Sequence, residues 1–518
     1  MKRRTFIKHA GHSLAISGLA SSFGFAMPSQ RVMSNLMRMA EENERVLVLV
    51  FLSGGNDGLN TVVPLDQLSV LNNVRPDVVL PDESLIELPG TSVGLHPALS
   101  GIKSLYNEGR IKIIQSVGYE DPDFSHFRST DIWMSGSESN AFEATGWTGR
   151  YLANEFPDFP IGYPNSNFTD PISIEVGGGG SLLFQGPSSS MSMVIKNPEN
   201  FYQLVNNEVQ PAPDTLAGDK LQHIRLIAQQ SQAYGEVVQK AAEKANNKIE
   251  YKSNKLGDQL KIVARLVAGG LKTPVYMVKL GGFDTHADQV EADDHTVGTH
   301  ANLLTAINDG IMDFMQDAEK LGIADKIMGM TFSEFGRRII SNASNGTDHG
   351  AAAPMFVFGN HVQGGVTGDN AAIPADADKK DNLAMQYDFK QVYASVLEQW
   401  LGTSEFDTDA ITMGNHERMQ VLRLRPEITG IENNNDKAFQ VYPNPIKNSA
   451  ELSFISDGSN VKIDIYNLNG RSVGSIFSGK LSSGKQKIQW RAGSLASGNY
   501  IIVLRGSNIN LSQKIVKL

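Results

Sequence analysis

Arg45-Val-Leu-Val-Leu-Val-Phe-Leu52, followed by Ser53-Gly-Gly-Asn-Asp57-Gly58, is the stretch that decides the fold. The run from 45 to 52 is apolar almost throughout, with no polar residue at alternate positions. A strand that is apolar on both sides must be buried on both faces, as in the centre of a parallel sheet covered by helices. The run stops at Ser-Gly-Gly and leaves Asp57 just beyond the carboxyl end of the strand. Open α/β sheets bind their ligands there. Asp-Gly is also a common turn dipeptide, so Asp57 is either a turn residue or a metal ligand.

Outward from this strand the chain alternates. Pro97 to Tyr106 reads as a helix and Ile111 to Val117 as a strand, and Pro274 to Leu280 is a second strand that runs into Gly-Gly-Phe-Asp. From Leu303 to Leu321 apolar residues fall at Leu304, Ile307, Ile311, Phe314, Ala318 and Leu321, which is helical spacing. Lys326 to Phe332 and Pro354 to Phe358 are strands, and Phe389 to Leu401 is a closing helix. The alternation predicts a doubly wound, mostly parallel α/β sheet over residues 45–425. Leu221 to Leu271, rich in Ala, Gln and Lys, is expected to form one or two long helices as an insertion or cap. Gly177 to Ser190 is expected to be a loop, because it lacks the lysine and threonine of a phosphate-cradling loop.

Composition narrows the chemistry. The chain has 518 residues, a net charge of -10 and no basic cluster beyond its first residues, which argues against nucleic acid as a main partner. With no cysteine there is no disulfide, no zinc-thiolate site and no thiol nucleophile, so a metal would be held by oxygen and nitrogen alone.

The two ends carry addresses. Lys2-Arg3-Arg4-Thr5-Phe6-Ile7-Lys8, a weakly apolar stretch to Ala26 and the small-x-small site Gly24-Phe25-Ala26 resemble a twin-arginine signal over residues 1–26. The resemblance implies removal after export of an already folded protein. His12 and several serines and glycines make this stretch too polar for a comfortable membrane span, and no other segment looks transmembrane, so no stable span is expected in the mature chain. The alternative is a membrane-anchored N-terminus. After a polar linker, 426–438, period-2 alternation separated by Asn-Gly, Ser-Gly and Gly-Asn turns predicts an all-β sandwich over 439–518. Val441-Tyr-Pro-Asn-Pro445, Ile465-Tyr-Asn-Leu-Asn-Gly-Arg471 and Leu495-Ala-Ser-Gly-Asn-Tyr500 resemble the C-terminal sorting domain of the type IX secretion system. A carbohydrate-binding sandwich is the alternative. The two resemblances imply twin-arginine and type IX export machinery as partners, with passage through the periplasm to the cell surface or beyond.

Four glycine-flanked stretches bear the chemistry: Ser53 to Gly58, Gly281-Gly-Phe-Asp284-Thr-His286, Ser333-Glu334-Phe-Gly336 and Thr347-Asp348-His349-Gly350. Each has a structural reading as well. Asp284 and His286, two apart, would face one side of an extended chain. Glu334 could pair with Arg337 or Arg338, and Asp348-His349 could cap a helix or sit in a turn. Together, hard ligands at several strand ends point to a metal.

Leu52-Ser-Gly-Gly-Asn-Asp-Gly-Leu-Asn-Thr61, Gly281 to His286, Phe332-Ser-Glu-Phe-Gly-Arg337 and Thr347 to Gly350 resemble, in order and spacing, the family known as domain of unknown function 1501, grouped with the alkaline-phosphatase and sulfatase superfamily. The resemblance implies one or two divalent ions (calcium, magnesium or zinc) held by Asp57, Asp284, His286, Glu334, Asp348 and His349. Asp348-His349 can stand for the superfamily's Asp-His pair. In the other alignment Glu334 takes the strand-end carboxylate, Phe335 stands where an imidazole is usual and His349 is the late histidine, which leaves an oxygen-rich site suited to calcium or magnesium. The nucleophile is sought in Asp121-Pro-Asp-Phe-Ser125-His-Phe-Arg-Ser129-Thr-Asp-Ile-Trp133. Ser125 comes first and Ser129 second, with His126 or Arg128 on the anionic oxygens; both serines could instead be helix caps. The expectation is an exported, metal-dependent hydrolase of small-molecule or glycan phosphate or sulfate esters. The rival is a non-catalytic surface-binding protein on the same fold.

Overall fold

A computed structural model describes residues 44–166, 168–195 and 233–423 of a first compact unit, and 439–458, 460–467, 472–493, 495–496, 498–505 and 510–517 of a second. The segments expected to be the export signal (1–26) and the linker (426–438) lie outside the described residues, as do residues 221–232 of the expected helical insertion.

The first unit is built from β1 (Val46–Ser53), β2 (Val62–Pro64), β3 (Ile86–Glu87), β4 (Val93–Leu95), β5 (Ile111–Gly118), β6 (Ser173–Val176), β7 (Met193–Ile195), β8 (Val275–Gly281), β9 (Ile327–Phe332), β10 (Ala353–Phe358), β11 (Gly365–Thr367) and β12 (Tyr387–Asp388). Among the described residues, nine of these form one sheet in the order β11-β5-β10-β9-β1-β8-β6-β7, with β12 also on β5. β2, β4 and β3 make a small sheet of their own. β1 lies between β8 and β9 and is parallel to both, with Phe51 opposite Lys279 and Phe332. β10 runs antiparallel to both β5 and β9, so the sheet is mixed but mostly parallel.

Strand geometry explains why β1 is apolar throughout. Alternate side chains leave opposite faces of a sheet. Val46, Val48, Val50 and Leu52 enter one core, with Leu256, Leu260 and Val263 of the helix Lys255–Ala268 and Leu304, Ile307 and Phe314 of the helix Thr299–Lys320. Leu47, Leu49 and Phe51 enter the other, with Trp133 of the helix His126–Ser135, Trp147 of Trp147–Glu155, and Phe389 and Tyr393 of Phe389–Gln399. In that second layer Trp133 stacks on Phe389, and Trp147 on Tyr393, each with ring centroids 4.5 Å apart. The helix Lys255–Ala268 therefore covers the sheet and is not a cap, because Leu256, Leu260, Val263 and Val267 repeat at helical spacing and bury one stripe. The Gly177 to Ser190 stretch is a loop with one short turn, Leu182–Phe184, that inserts Leu183 and Phe184 into the core.

The second unit holds β13 (Phe439–Tyr442), β14 (Ser449–Asp457), β15 (Asn460–Asn467), β16 (Ser472–Lys480), β17 (Ser483–Arg491), β18 (Gly498–Arg505) and β19 (Asn510–Lys517). They form two antiparallel sheets, β13-β14-β17 and β16-β15-β18-β19. Phe439, Leu452, Phe454, Ile463, Ile502, Leu504 and Ile515 share one apolar core, as the period-2 alternation anticipated.

Two buried histidines stand in the first unit behind the end of β1. His96 Nδ1 accepts from the Ala98 N–H at 3.0 Å, His300 Nε2 bonds Asn56 Oδ1 at 3.0 Å, and the rings meet edge to face. Burial, reinforced by the neighbouring His300, lowers His96 from 6.5 to about 3, and burial, opposed by Asp57, lowers His300 to about 4. The unfolded chain then binds more protons than the folded one between about pH 4 and 6.5. Stability is complete above that window and is lost as the pH falls through it. Chelator-treated protein should show a falling Tm from pH 7 to pH 5. His96→Asn, which retains an acceptor for the Ala98 N–H, should flatten that slope; an unchanged slope would remove His96 from the account.

Candidate metal centre

The site lies on one edge of the sheet. β5, β9, β1 and β8 point their carboxyl ends to that edge, and the antiparallel β10 begins there, with Ala353 opposite Val117. Residues that follow four strands are thereby brought beside residues that precede a fifth. Gly54 (φ +127°) and Gly55 (φ +88°) allow the chain after β1 to pass closely here. A side chain on Gly54 would strike the Asp284 backbone, and one on Gly55 the Phe335 ring.

Arg337 ties the loops together. Its side chain is fully buried; Nε donates to Gly55 O at 2.8 Å and Nη1 to Thr347 O at 2.8 Å, while Nη2 donates to Phe283 O and Asp284 Oδ1, each at 2.8 Å, and to Gly54 O. All three nitrogens are engaged.

Three imidazoles and one carboxylate converge beside it. One ligand-type atom each from His126, Asp284 and His349 lie within 4.8 Å of one another. His349 Nε2 is 3.1 Å and His286 Nε2 3.3 Å from Asp284 Oδ1, and His126 Nε2 is 3.4 Å from Oδ2. The Nε2 atoms of His286 and His349 are 2.9 Å apart. Each ring has its other nitrogen held by an acceptor: His126 Nδ1 by Glu334 Oε1 at 2.9 Å, His286 Nδ1 by Asp348 Oδ1 at 3.0 Å and His349 Nδ1 by the Phe124 carbonyl at 2.7 Å. A carboxylate or carbonyl only accepts, so each Nδ1 carries a proton and each neutral ring presents an Nε2 lone pair. Such Nε2 atoms, facing one another and a carboxylate, call for a proton or a cation among them, and acceptors behind metal-binding histidines are the usual way such rings are oriented. The residues fit a metal ion.

Charge in the cluster agrees with this. Burial raises the Asp284 pKa, but the Arg337 guanidinium, with the neighbouring imidazoles, outweighs it and brings it down to about 2. Burial also lowers His349 below its usual value, which favours the neutral ring.

Of the residues singled out in the sequence, Asp284, His286 and His349 enter the cluster directly. Glu334 and Asp348 stand one step behind, as acceptors for His126 and His286. Glu334 is buried and also accepts from the Gly54 N–H at 2.8 Å, so the strand-end carboxylate orients an imidazole. His126, expected on the anionic oxygens, supplies the imidazole that Phe335 lacks. The Phe335 ring packs against His126 and His349, at 4.9 and 4.6 Å. The donor set is therefore nitrogen-rich, against the oxygen-rich expectation. Asp57 is outside the cluster: it caps the turn Gly58–Thr61 through the Leu59 N–H, and its other oxygen takes the buried Arg75 and Gln289 Nε2. Both oxygens are spent. Arg128 is committed too, since it donates to the carbonyls of Glu138, Ser139 and Ala141 and stacks on Phe142. Ser129 is buried, with its hydroxyl bonded to Asp123 O at 2.6 Å and Tyr119 Oη at 3.0 Å, where it braces the loop. Ser125 is exposed at the N-cap of the helix His126–Ser135, its side chain capping no backbone N–H. Arg75, Gln289 and the Phe124 carbonyl had no signal in the sequence, because each acts through a contact remote along the chain.

These features define the class: a mixed, mostly parallel α/β unit with a histidine- and aspartate-lined strand-end centre, followed by a β-sandwich. Residues 200–412 match the family described as protein of unknown function (DUF1501), and residues 440–518 match the secretion system C-terminal sorting domain. The chain thus carries a sorting domain that directs export to the cell surface or beyond; among the described residues no helix is long and apolar enough to cross a membrane. No curated protein matches the chain.

Solved structures similar to it include a protein of the alkaline phosphatase superfamily from Vibrio parahaemolyticus (9% identity, 83% of this chain and 81% of that one, TM-score 0.34). A sulfatase from Pseudoalteromonas sp. is 11% identical over 90% of this chain and 88% of its own, with TM-score 0.32. A surface component of the type IX secretion system of Porphyromonas gingivalis is 17% identical, TM-score 0.13, over 18% of this chain; the match spans only 12% of that protein. Likenesses this distant assign no role to any residue.

Because Arg337 is buried and five acceptors depend on it, Arg337→Lys, which keeps the charge but not the planar fork, should destabilise the first unit by about 3 kcal/mol. Chemical denaturation followed by tryptophan fluorescence measures this, and a loss under about 1 kcal/mol would show that the loops hold without the fork.

Proposed function

We propose that the protein is an exported, metal-dependent hydrolase of phosphate or sulfate esters, with Ser125 as nucleophile. The observation that carries this is the convergence of His126, His286 and His349 Nε2 on Asp284, each ring fixed by an acceptor behind it. Three nitrogens and one carboxylate oxygen suit zinc or a similar borderline ion better than calcium or magnesium, which prefer all-oxygen shells. Such an ion, when bound, supplies Lewis-acid polarisation of an ester oxygen and lowers the pKa of a nearby hydroxyl.

The chain's own residues do the rest. Ser125 immediately precedes His126, and the preceding carbonyl, Phe124 O, holds His349, so its backbone is set from both sides. Its N–H donates to Asp123 Oδ1 at 2.7 Å, and its hydroxyl is exposed and available for attack on phosphorus or sulfur. Arg337 keeps Asp284 ionised, and the Nδ1 acceptors keep the imidazoles in the tautomer that leaves Nε2 open. The sorting domain supports a substrate met outside the cell, a small-molecule or glycan ester.

The mature protein, purified without chelator, should hold a zinc-class ion by elemental analysis. His126→Ala should lose it, and Ser125→Ala should retain it while turnover of aryl phosphates or sulfates falls at least about 100-fold. A fully metallated wild type inert on both ester classes would leave the non-catalytic binding role as the better account.

A further inference from the structure

Deepening the metal-centre reading, on which it rests, we propose that Gln289 is a positioning residue that sets the distance between the two loops carrying His286 and His349. Gln289 lies outside all the sequence motifs and is fully buried. Its backbone is anchored on both sides: its N–H donates to Asn345 O at 2.9 Å, and its carbonyl accepts from the His300 N–H at 3.0 Å, at the start of the helix Thr299–Lys320.

The side chain uses both ends of its amide. Oε1 accepts from the Thr285 hydroxyl at 3.0 Å and from the Thr347 hydroxyl at 2.6 Å, while Nε2 donates to Asp57 Oδ2 at 2.6 Å. The amide orientation is forced, since Asp57 only accepts and the carbonyl end is the one shared acceptor for the two hydroxyls. Thr285 immediately precedes His286, and Thr347 immediately precedes Asp348 and His349. The two threonines are also joined directly, the Thr347 N–H donating to Thr285 O at 3.1 Å. One amide oxygen therefore pins both ligand-bearing loops at the residue before their functional side chains. The other end of the amide fastens them to the Asp57–Arg75 ion pair at the end of β1.

Water cannot replace this relay. Asp57, Arg75, Gln289, Thr285 and Thr347 are each at most 2% exposed. Asp57, conspicuous in the sequence as a ligand, then acts as the fixed root from which the ligand loops are held. Losing a partner that bonds a ligand directly lowers metal affinity by about 10- to 100-fold, and Gln289, acting one bond further out through both threonines, sets the lower end of that range as the expected effect.

The test uses the full chain, stripped of metal and titrated with cobalt(II), whose visible absorption reports the ligand geometry. Gln289→Met, close in shape but without the amide, should bind cobalt(II) at least about 10-fold more weakly than wild type and shift its visible bands. Adding Thr285→Val and Thr347→Val removes the stranded hydroxyls and should recover Tm without recovering affinity or spectrum. If affinity and Tm recover together, Gln289 is only a folding element and the positioning role is overturned. Wild-type affinity and spectrum in Gln289→Met overturn it as well. A wild-type chain that binds no cobalt(II) instead removes the metal-centre reading itself.

Discussion

The buried guanidinium of Arg337 is the constraint on which the site depends. Loops after parallel strands carry carbonyl groups that no sheet hydrogen bond satisfies, and four of these, from Gly54, Gly55, Phe283 and Thr347, end on one side chain. Buried carbonyls must find donors, and a planar fork can serve several at once where an ammonium cannot. The same group faces Asp284, so the cation that gathers the loops also keeps the central carboxylate charged. Fold and electrostatics meet in one residue.

Topology determines which residues Arg337 can gather. Four strands leave their carboxyl ends on one edge, which brings Ser53, Gly281, Phe332 and the segment after Gly118 together. The reversed strand β10 adds the segment that precedes it, and with it Asp348 and His349. A fully parallel sheet would have placed those residues at the opposite edge. The side chains then sort by direction: Asp284 and His286 turn to the cluster while Thr285 between them turns inward to Gln289. That alternation is why two side chains at a spacing of two both reach the cluster.

Much of the fold was legible in the sequence. The unbroken apolar run at β1, the helical spacing from Leu304 to Leu321 and the alternation after Phe439 each follow from local geometry against a buried face, and each matches the observed element. The helix Lys255–Ala268 covers the sheet where the sequence pointed to an insertion or cap, because Lys255, Asp258 and Lys261 on its outer face obscure an apolar stripe that is visible only at helical spacing. In the site, Asp284, His286 and His349 could be picked out as ligand types at strand ends. Asp57 could not be told apart from them, because its partners Arg75 and Gln289 lie 18 and 232 residues away. His126, expected on the anionic oxygens, could not be picked out as a member of the cluster, because it is a helix residue whose role depends on Glu334, 208 positions on.

By itself, the sequence determined the layered α/β unit, the appended β-sandwich, the absence of any thiol chemistry and the edge of the sheet where polar groups collect. These follow from periodicity and residue type, which act over a few positions. Tertiary structure alone decided which carboxylate faces the centre, which two stand behind an imidazole and which caps a turn and pairs with the buried Arg75. Such roles depend on hydrogen bonds between residues far apart in the chain, and aspartate serves in all three, as Asp284, Asp348 and Asp57.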